Sequence, residues 1–441
     1  MKKQWLSPRL PERRGNAHAL PNPLLEQGAL ASCSLIHVSL NGESNMAALL
    51  SPQFAKESWG KQATELAISQ IPFNDQDVLG ALKEYAMCAN DLRSRNAQSE
   101  AITVFNGKRT SAPRPDFLAL PADHTLDDYV SRIGRLAGND EWAVMYYGLH
   151  AASPNIWDVA KAFSDQLALS IGYRPGGRVD IDCFIGRYSS TYVGIHADHA
   201  HNFGFTLRDG KTMFTWPGTR SDLIGVRFPD YESFKSEGIP LENKTNRVTY
   251  FPEDWLHVAE TKSDVSINVN IAFWETGNDS QQNANYVKGL LQAPNRTRHD
   301  VRSSGIASLN PDDALLLSSL KALLDGASLK RRMMISQLIS DTSSRLNVGR
   351  PIVEVEALDD VIALNAVSTL QWIPVLQEGE VLVAANGHCG SFRYSRALHD
   401  FLNCLSAGQP VNISDRSSGK DRLLNDDLLS VAASLARWGA L

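Results

Sequence analysis

The spacing of apolar residues along the chain changes twice. Between 154 and 171, Trp157, Ala160, Phe163, Leu167 and Ile171 recur every three or four positions, which predicts an amphipathic helix. Helical spacing also runs through 47–100. There Val78, Leu79 and Leu82 form an apolar face behind a cap at Asp75 or Asp77, with Leu66, Ile68 and Ile71 just ahead of it. From 178 to 274 the spacing shortens to alternation. R-V-D-I-D-C-F-I-G, S-S-T-Y-V-G-I-H-A-D, N-F-G-F-T-L, T-M-F-T-W-P, R-V-T-Y-F-P and S-I-N-V-N-I-A-F-W are rich in β-branched and aromatic residues, and Gly, Pro and Asp separate them. Many short strands at close spacing predict a mainly β core, built as a barrel or sandwich.

Beyond 274 the pattern breaks again. Residues 277–305 are polar and read as a connection between domains. P-D-D-A-L-L-L-S-S-L-K-A-L-L-D-G then predicts a helix started by Asp312 or Asp313 and stopped by Gly326. A second helix is expected over 328–345, with Met333, Met334, Leu338 and Ile339 packed on another helix. Q-W-I-P-V-L, the turn Q-E-G-E and V-L-V-A-A-N-G predict a hairpin. A helix over F-R-Y-S-R-A-L-H-D-F-L-N-C-L follows, burying Phe392, Leu398, Phe401, Leu402 and Leu405, and a last helix occupies about 424–438. Helices plus a hairpin in so short a span predict a small winged-helix-like α+β domain.

Composition narrows the class. At 441 residues, two or three domains are expected. The apolar share of 43% and charged share of 21% are those of a globular protein, and no apolar run approaches the roughly 18 residues of a membrane helix. A formal net charge of −6 argues against general nucleic-acid binding. Five scattered cysteines without a C-x-x-C pair fit a reducing, cytoplasmic setting. Residues 1–30 are rich in Pro, Arg and Asn and have no apolar stretch of a secretory signal; 1–45 read as a disordered tail, with Met46 an alternative start.

The chemistry concentrates at 194–202, G-I-H-A-D-H-A-H-N. On a strand, His196 and Asp198 point to one face. His257, just before another strand, is the best third ligand. H-x-D…H is the sequence form of a facial triad of two histidines and one carboxylate, which leaves open positions on an octahedral iron. Lys211 lies 211 − 198 = 13 residues past the aspartate, at the start of the next strand. A cation returning there suits the distal carboxylate of a dicarboxylic cosubstrate, although a solvent-facing lysine in the turn R-D-G-K is an equal reading of the spacing. H-A-H also fits a metal-binding cupin, but the acid such a site needs does not follow.

The motif H-A-D-H-A-H-N-F with G-K-T-M-F-T-W-P, then Y-F-P-E-D-W-L-H-V-A-E and I-N-V-N-I-A-F-W, resembles the JmjC and cupin-like iron(II)/2-oxoglutarate oxygenases. Within that family the pattern is closest to the hypoxia-inducible-factor asparaginyl hydroxylase and the ribosomal oxygenases. The resemblance implies a double-stranded β-helix, or jelly roll, with flanking helices. It implies Fe(II) held by His196, Asp198 and His257, and 2-oxoglutarate and O2 as cosubstrates. It places Lys211, Asn202, Asn270 and Tyr146 at the cosubstrate, with His201, Trp216 and Trp274 as candidates for the substrate pocket. His199 is expected in the turn. One departure stands out: many members carry a Thr three residues before the first histidine, where this chain has Val193.

The organisation it implies is a tail over 1–45, a catalytic domain over 46–278, a linker and helical dimerisation section over 279–346, and the winged-helix-like domain over 347–441. The expected activity is hydroxylation of a C–H bond in an amino-acid residue of a protein or peptide, by a homodimer. Two alternatives stay open: the same chemistry on a free amino acid or small metabolite, and a non-oxygenase cupin, either a zinc enzyme or a binding protein.

Overall fold

The computed structural model describes residues 49–96, 98–261, 265–275, 326–413 and 422–441. They fall in one compact unit, Val38–Leu441, while a second unit, Met1–His37, lies outside the described residues. So do the expected N-terminal tail, the polar connection 277–305 and the body of the helix begun by Asp312 or Asp313.

Two antiparallel sheets form the centre. The larger has eight strands in the order β1 (Thr64–Ala67), β10 (Arg247–Phe251), β7 (His201–Arg208), β12 (Ser266–Phe273), β5 (Val179–Arg187), β4 (Trp142–Tyr147), β2 (Glu100–Phe105) and β3 (Lys108–Arg109). The smaller has four: β6 (His196–Ala197), β11 (Leu256–Thr261), β8 (Lys211–Trp216) and β9 (Ile239–Asn243).

Alternation decides what each face does. On β5, Val179, Ile181, Cys183 and Ile185 enter the main core, whereas Asp180, Asp182 and Phe184 line a cavity on the other side. On β7, Phe203 and Phe205 enter the same core while Asn202 faces the cavity. Helices Asp75–Met87, Leu126–Ala137 and Pro154–Ile171 supply the other half of that core through residues such as Leu82, Tyr129, Trp157 and Phe163. This one-sided covering leaves the opposite face of the large sheet free to build a site.

Punctuation explains the helix ends. Ser153 accepts from the Ile156 amide, Pro154 takes the first helical position and Gly172 ends the helix in the left-handed region, so Pro154–Ile171 runs as predicted. The helix at Asp75 is capped by Asn74, whose side chain accepts from the Asp77 amide, and not by Asp75 or Asp77. The helical reading of Leu66 and its neighbours gives way to an edge strand: Thr64–Ala67 pairs with β10, and Glu65 forms an ion pair with Arg247.

In the C-terminal part, helix Gly326–Thr342 packs through Met334 and Leu338 on a three-stranded sheet of β13 (Leu370–Val375), β14 (Glu380–Ala385) and β15 (His388–Arg393). The expected helical partner is therefore replaced by a sheet, and Met333 is left exposed. The sheet's other face carries Val381 and Val383 against Phe401 and Leu402 of helix Arg396–Ser406 and Val431 of helix Arg422–Arg437. Phe392 reaches that core from strand β15: the helix expected to include it starts only at Arg396, after the Ser395 cap. Contacts cross the expected boundary at 346/347. Arg350 forms a two-pronged ion pair with Asp158, and Trp157 Nε1 donates to the Val348 carbonyl at 2.9 Å. Among the described residues no helix is long and apolar enough to cross a membrane.

Candidate functional site

The register of the small sheet sets His257 on β11 directly opposite His196 on β6. Asp198 follows on the same face. Its Oδ1 lies 3.5 Å from His196 Nε2 and its Oδ2 lies 3.5 Å from His257 Nε2, so all three donor atoms fall within 4.8 Å of one another. His196 Nδ1 donates to the Gly194 carbonyl at 2.9 Å, which leaves the Nε2 lone pair facing the cluster. The Nδ1 of His257 points to the Trp255 carbonyl at 3.5 Å. Burial pushes the His257 imidazole down to about 4, with Asp198 acting against it, so the ring is neutral. Gly194 makes the approach of His196 possible: it has φ +78°, and a Cβ there would meet the Val226 carbonyl oxygen at 2.5 Å. Two imidazole nitrogens and one carboxylate on one face fit a divalent transition metal with positions left open.

The cluster opens into a cavity of about 690 Å³ between the two sheets. Lys211 lines it and is 5% exposed. Its ammonium has no hydrogen bond or ion pair among the described residues, and the nearest aromatic, Phe184, has its ring centroid 5.4 Å away. Burial pushes Lys211 down to about 8, with Asp198 opposing. A buried cation without an anion is costly, and a carboxylate ligand would relieve it. Asn202 and Asn270 line the same cavity; Asn202 Nδ2 donates to the Ala200 carbonyl at 3.1 Å, and Asn270 Oδ1 is buried without a partner among the described residues.

Three expected residues lie elsewhere. Tyr146 is fully buried in the helix-side core, where its hydroxyl meets that of Tyr129 at 2.9 Å and accepts from the Ala119 amide at 3.2 Å. Its neighbour Tyr147 is the one that lines the cavity. Trp216 belongs to the outer cluster with Leu223 and Tyr231, and its Nε1 donates to the Phe234 carbonyl. His201 is stacked on Trp59 with ring centroids 4.0 Å apart and bonds to the Tyr250 hydroxyl at 3.0 Å, behind the large sheet. Trp274 does line the cavity: Arg178 lies 4.0 Å over its ring, and its Nε1 donates to Asp180. His199 is in the turn, exposed, at φ 55° and paired with Asp254 at 2.6 Å. Thr191 cannot stand in for the threonine absent at Val193, because its hydroxyl both donates to and accepts from the Ala259 backbone.

Several cavity residues were not anticipated. Asp182 accepts only from the Gly148 amide, at 2.9 Å, and has no cation partner among the described residues. Burial first, then the Asp180 charge, push its carboxyl well above the usual range. The alternation in R-V-D-I-D-C-F-I-G carried that signal: two aspartates on the face opposite an apolar one. Tyr188 and Tyr192 also line the cavity, with hydroxyls unpartnered among the described residues. Asn347 reaches in from the C-terminal part, donating to Asp180 Oδ1 at 2.7 Å and accepting from His150 Nε2 at 2.6 Å. No sequence periodicity links it to that wall.

No protein-family model and no curated protein matches the chain. Solved structures do. One is similar at 14% identity and a TM-score of 0.44, over 88% of this chain and 96% of the other: YcfD, a ribosomal oxygenase from Escherichia coli. A structure of YcfD with cobalt and succinic acid aligns over the same shares at 14% identity and a TM-score of 0.44. A third, with cobalt and 2-oxoglutarate, does so at 13% identity and a TM-score of 0.43.

Proposed function

We propose that the chain is an iron(II)- and 2-oxoglutarate-dependent oxygenase built on a double-stranded β-helix. The observation that carries this reading is the pairing, within one cavity, of a two-histidine, one-carboxylate cluster with a buried and unmatched lysine. His196, Asp198 and His257 hold the metal. Lys211 takes the distal carboxylate of 2-oxoglutarate, and Asn202 and Asn270 supply amides beside it. The cavity tyrosines take over the hydroxyl role left vacant at Val193. Bound iron supplies the chemistry that couples decarboxylation of the cosubstrate by dioxygen to oxidation of a substrate C–H bond.

The protein's own part is binding and orientation. Trp274, Arg178 and Asp180 form one wall of the substrate space, and Asp182 offers an unmatched carboxylate that orients a polar substrate group. The substrate is an amino-acid residue presented by a protein or peptide. The competing cupin reading that used His199 and His201 as ligands finds no support, since one is in an exposed turn and the other is stacked on Trp59. Turnover tests the proposal: iron-loaded protein with dioxygen converts 2-oxoglutarate to succinate, and His257→Ala does not. Iron-replete wild type that forms no succinate, with or without peptide pools, contradicts it.

A further inference from the structure

One stretch of the cavity wall serves neither the metal cluster nor Lys211. Past β5 the large sheet runs on through β4, β2 and β3. On its cavity face, Ile102 and Val104 of β2 and Ala143 and Met145 of β4 form an apolar cluster apart from the main core. The register aligns them: Ile102 is opposite Met145, which is opposite Phe184 of β5, and Val104 is opposite Ala143. Tyr188 and Tyr192 pack against this strip. They come from the segment that runs beside β11, where the Tyr188 amide donates to Thr261 Oγ1 at 2.8 Å and the Thr191 amide to the Ala259 carbonyl at 2.9 Å.

The strip is not sealed as a core is. Its four residues are 5–8% exposed, whereas Val144, Ile181, Cys183 and Ile185, on the opposite face of β4 and β5, are 0–1% exposed. The charged residues at the strand ends, Glu100 of β2 and Arg109 of β3, pair with each other at 3.7 Å. Apolar surface facing water is unfavourable, and an apolar group that covers it removes that cost. A cavity of about 690 Å³ is in the range that buries a drug-sized ligand. A five-carbon acid held between the metal cluster and Lys211, both on the small sheet, leaves the strip on β2 and β4 to another occupant.

We propose that this strip is a specificity subsite for a large apolar side chain, aliphatic or aromatic, on a residue flanking the oxidised one in a peptide substrate. The inference deepens the oxygenase reading above and rests on it. A polar side chain of the same size would give up its water there for no partner but the tyrosine hydroxyls, so the strip selects against it.

The test is binding of N-acetyl amino-acid amides to the full chain loaded with manganese(II), in place of iron, and saturating 2-oxoglutarate. The amides of phenylalanine, leucine and glutamine are compared, and the relaxation that the metal imposes on their protons reports binding inside the cavity. The phenylalanine and leucine amides are expected to bind at least about tenfold more tightly than the glutamine amide. Met145→Glu sets a charge in the strip, and Tyr192→Ala removes its cover from a segment outside the strands. Each should shrink the ratio to about threefold or less. A distorted cavity would weaken all three amides alike. Equal binding of the three amides to wild type, or a preference that survives in both folded variants, overturns the inference and leaves the oxygenase reading standing. Failure of wild type to bind 2-oxoglutarate overturns both. Should Met145→Glu not fold, Tyr192→Ala carries the test alone.

Discussion

Asp198 Oδ2 stands 3.5 Å from His257 Nε2: the aspartate directly follows β6, and the histidine is on β11, the strand that pairs with β6. The side chain of Asp198 is 41% exposed and caps no helix, so its removal costs the fold little. Asp198→Ala is therefore expected to melt within a few degrees of wild type and to lose at least about a hundredfold in iron(II) affinity, more than the loss typical of outer-shell partners. Metal analysis after dialysis against a weak chelator, beside a thermal melt, checks both halves.

Lys211 gives the site a pH dependence with a defined sign. Its pKa is pushed down to about 8, so the unliganded site carries its charge below that value and loses it above. A dicarboxylate needs the charge. Affinity for 2-oxoglutarate should be flat below pH 8 and fall by about tenfold for each pH unit above it. Lys211→Met should bind weakly with no such break, measured by titration from pH 7 to 9.5.

Tyr146 and Tyr147 separate core from cavity by one residue. Tyr146→Phe removes a buried hydroxyl that accepts from the Ala119 amide and is expected to cost about 1–2 kcal/mol of stability. Because Tyr146 lies on the helix side of the sheet, 2-oxoglutarate affinity should not change. Urea unfolding and ligand titration on one preparation decide the point.

Asn347 ties the C-terminal part to the cavity wall. Asn347→Ala leaves Asp180 and the buried His150 each short of a partner, and should cost about 1–3 kcal/mol in urea unfolding. The His196–Asp198–His257 cluster, which Asn347 does not touch, should keep its affinity for iron(II).

His201 predicts acid sensitivity of the metal-free protein. Burial holds its folded pKa at about 4, below the unfolded value near 6.5. Between those values the unfolded chain binds a proton that the folded one refuses. The stability is thus complete above about 6.5 and lost as pH falls toward 4. His257, also lowered to about 4, adds to the effect when no metal is bound. Melting temperature from pH 7 to 4 should fall, and His201→Phe should make the fall shallower.

How much of this was legible depends on local signals. The helix over 154–171 was readable because Ser153, Pro154 and Gly172 mark its ends. The meeting of His196 and Asp198 was readable because H-x-D sets two side chains on one face of an extended segment. Tyr146 was misplaced because W-A-V-M-Y-Y is apolar on both faces, so parity carries no sign of which face meets the cavity. His201 was decidable: His196, Asp198, Ala200 and Asn202 line the cavity, so the odd position 201 between them faces away. Trp216 was decidable too: with Lys211 facing inward, a residue five positions along the same strand faces out. Asn347 depends on side-chain contacts between segments far apart in the chain, which no local pattern encodes.

The most direct test of the central claim is an anaerobic titration of the purified protein with iron(II) and then 2-oxoglutarate, followed in the visible range. The account predicts a weak charge-transfer band of the chelated complex, absent in Asp198→Ala and weakened in Lys211→Ala. A folded, metal-loaded wild-type protein that shows no band on adding 2-oxoglutarate would contradict it.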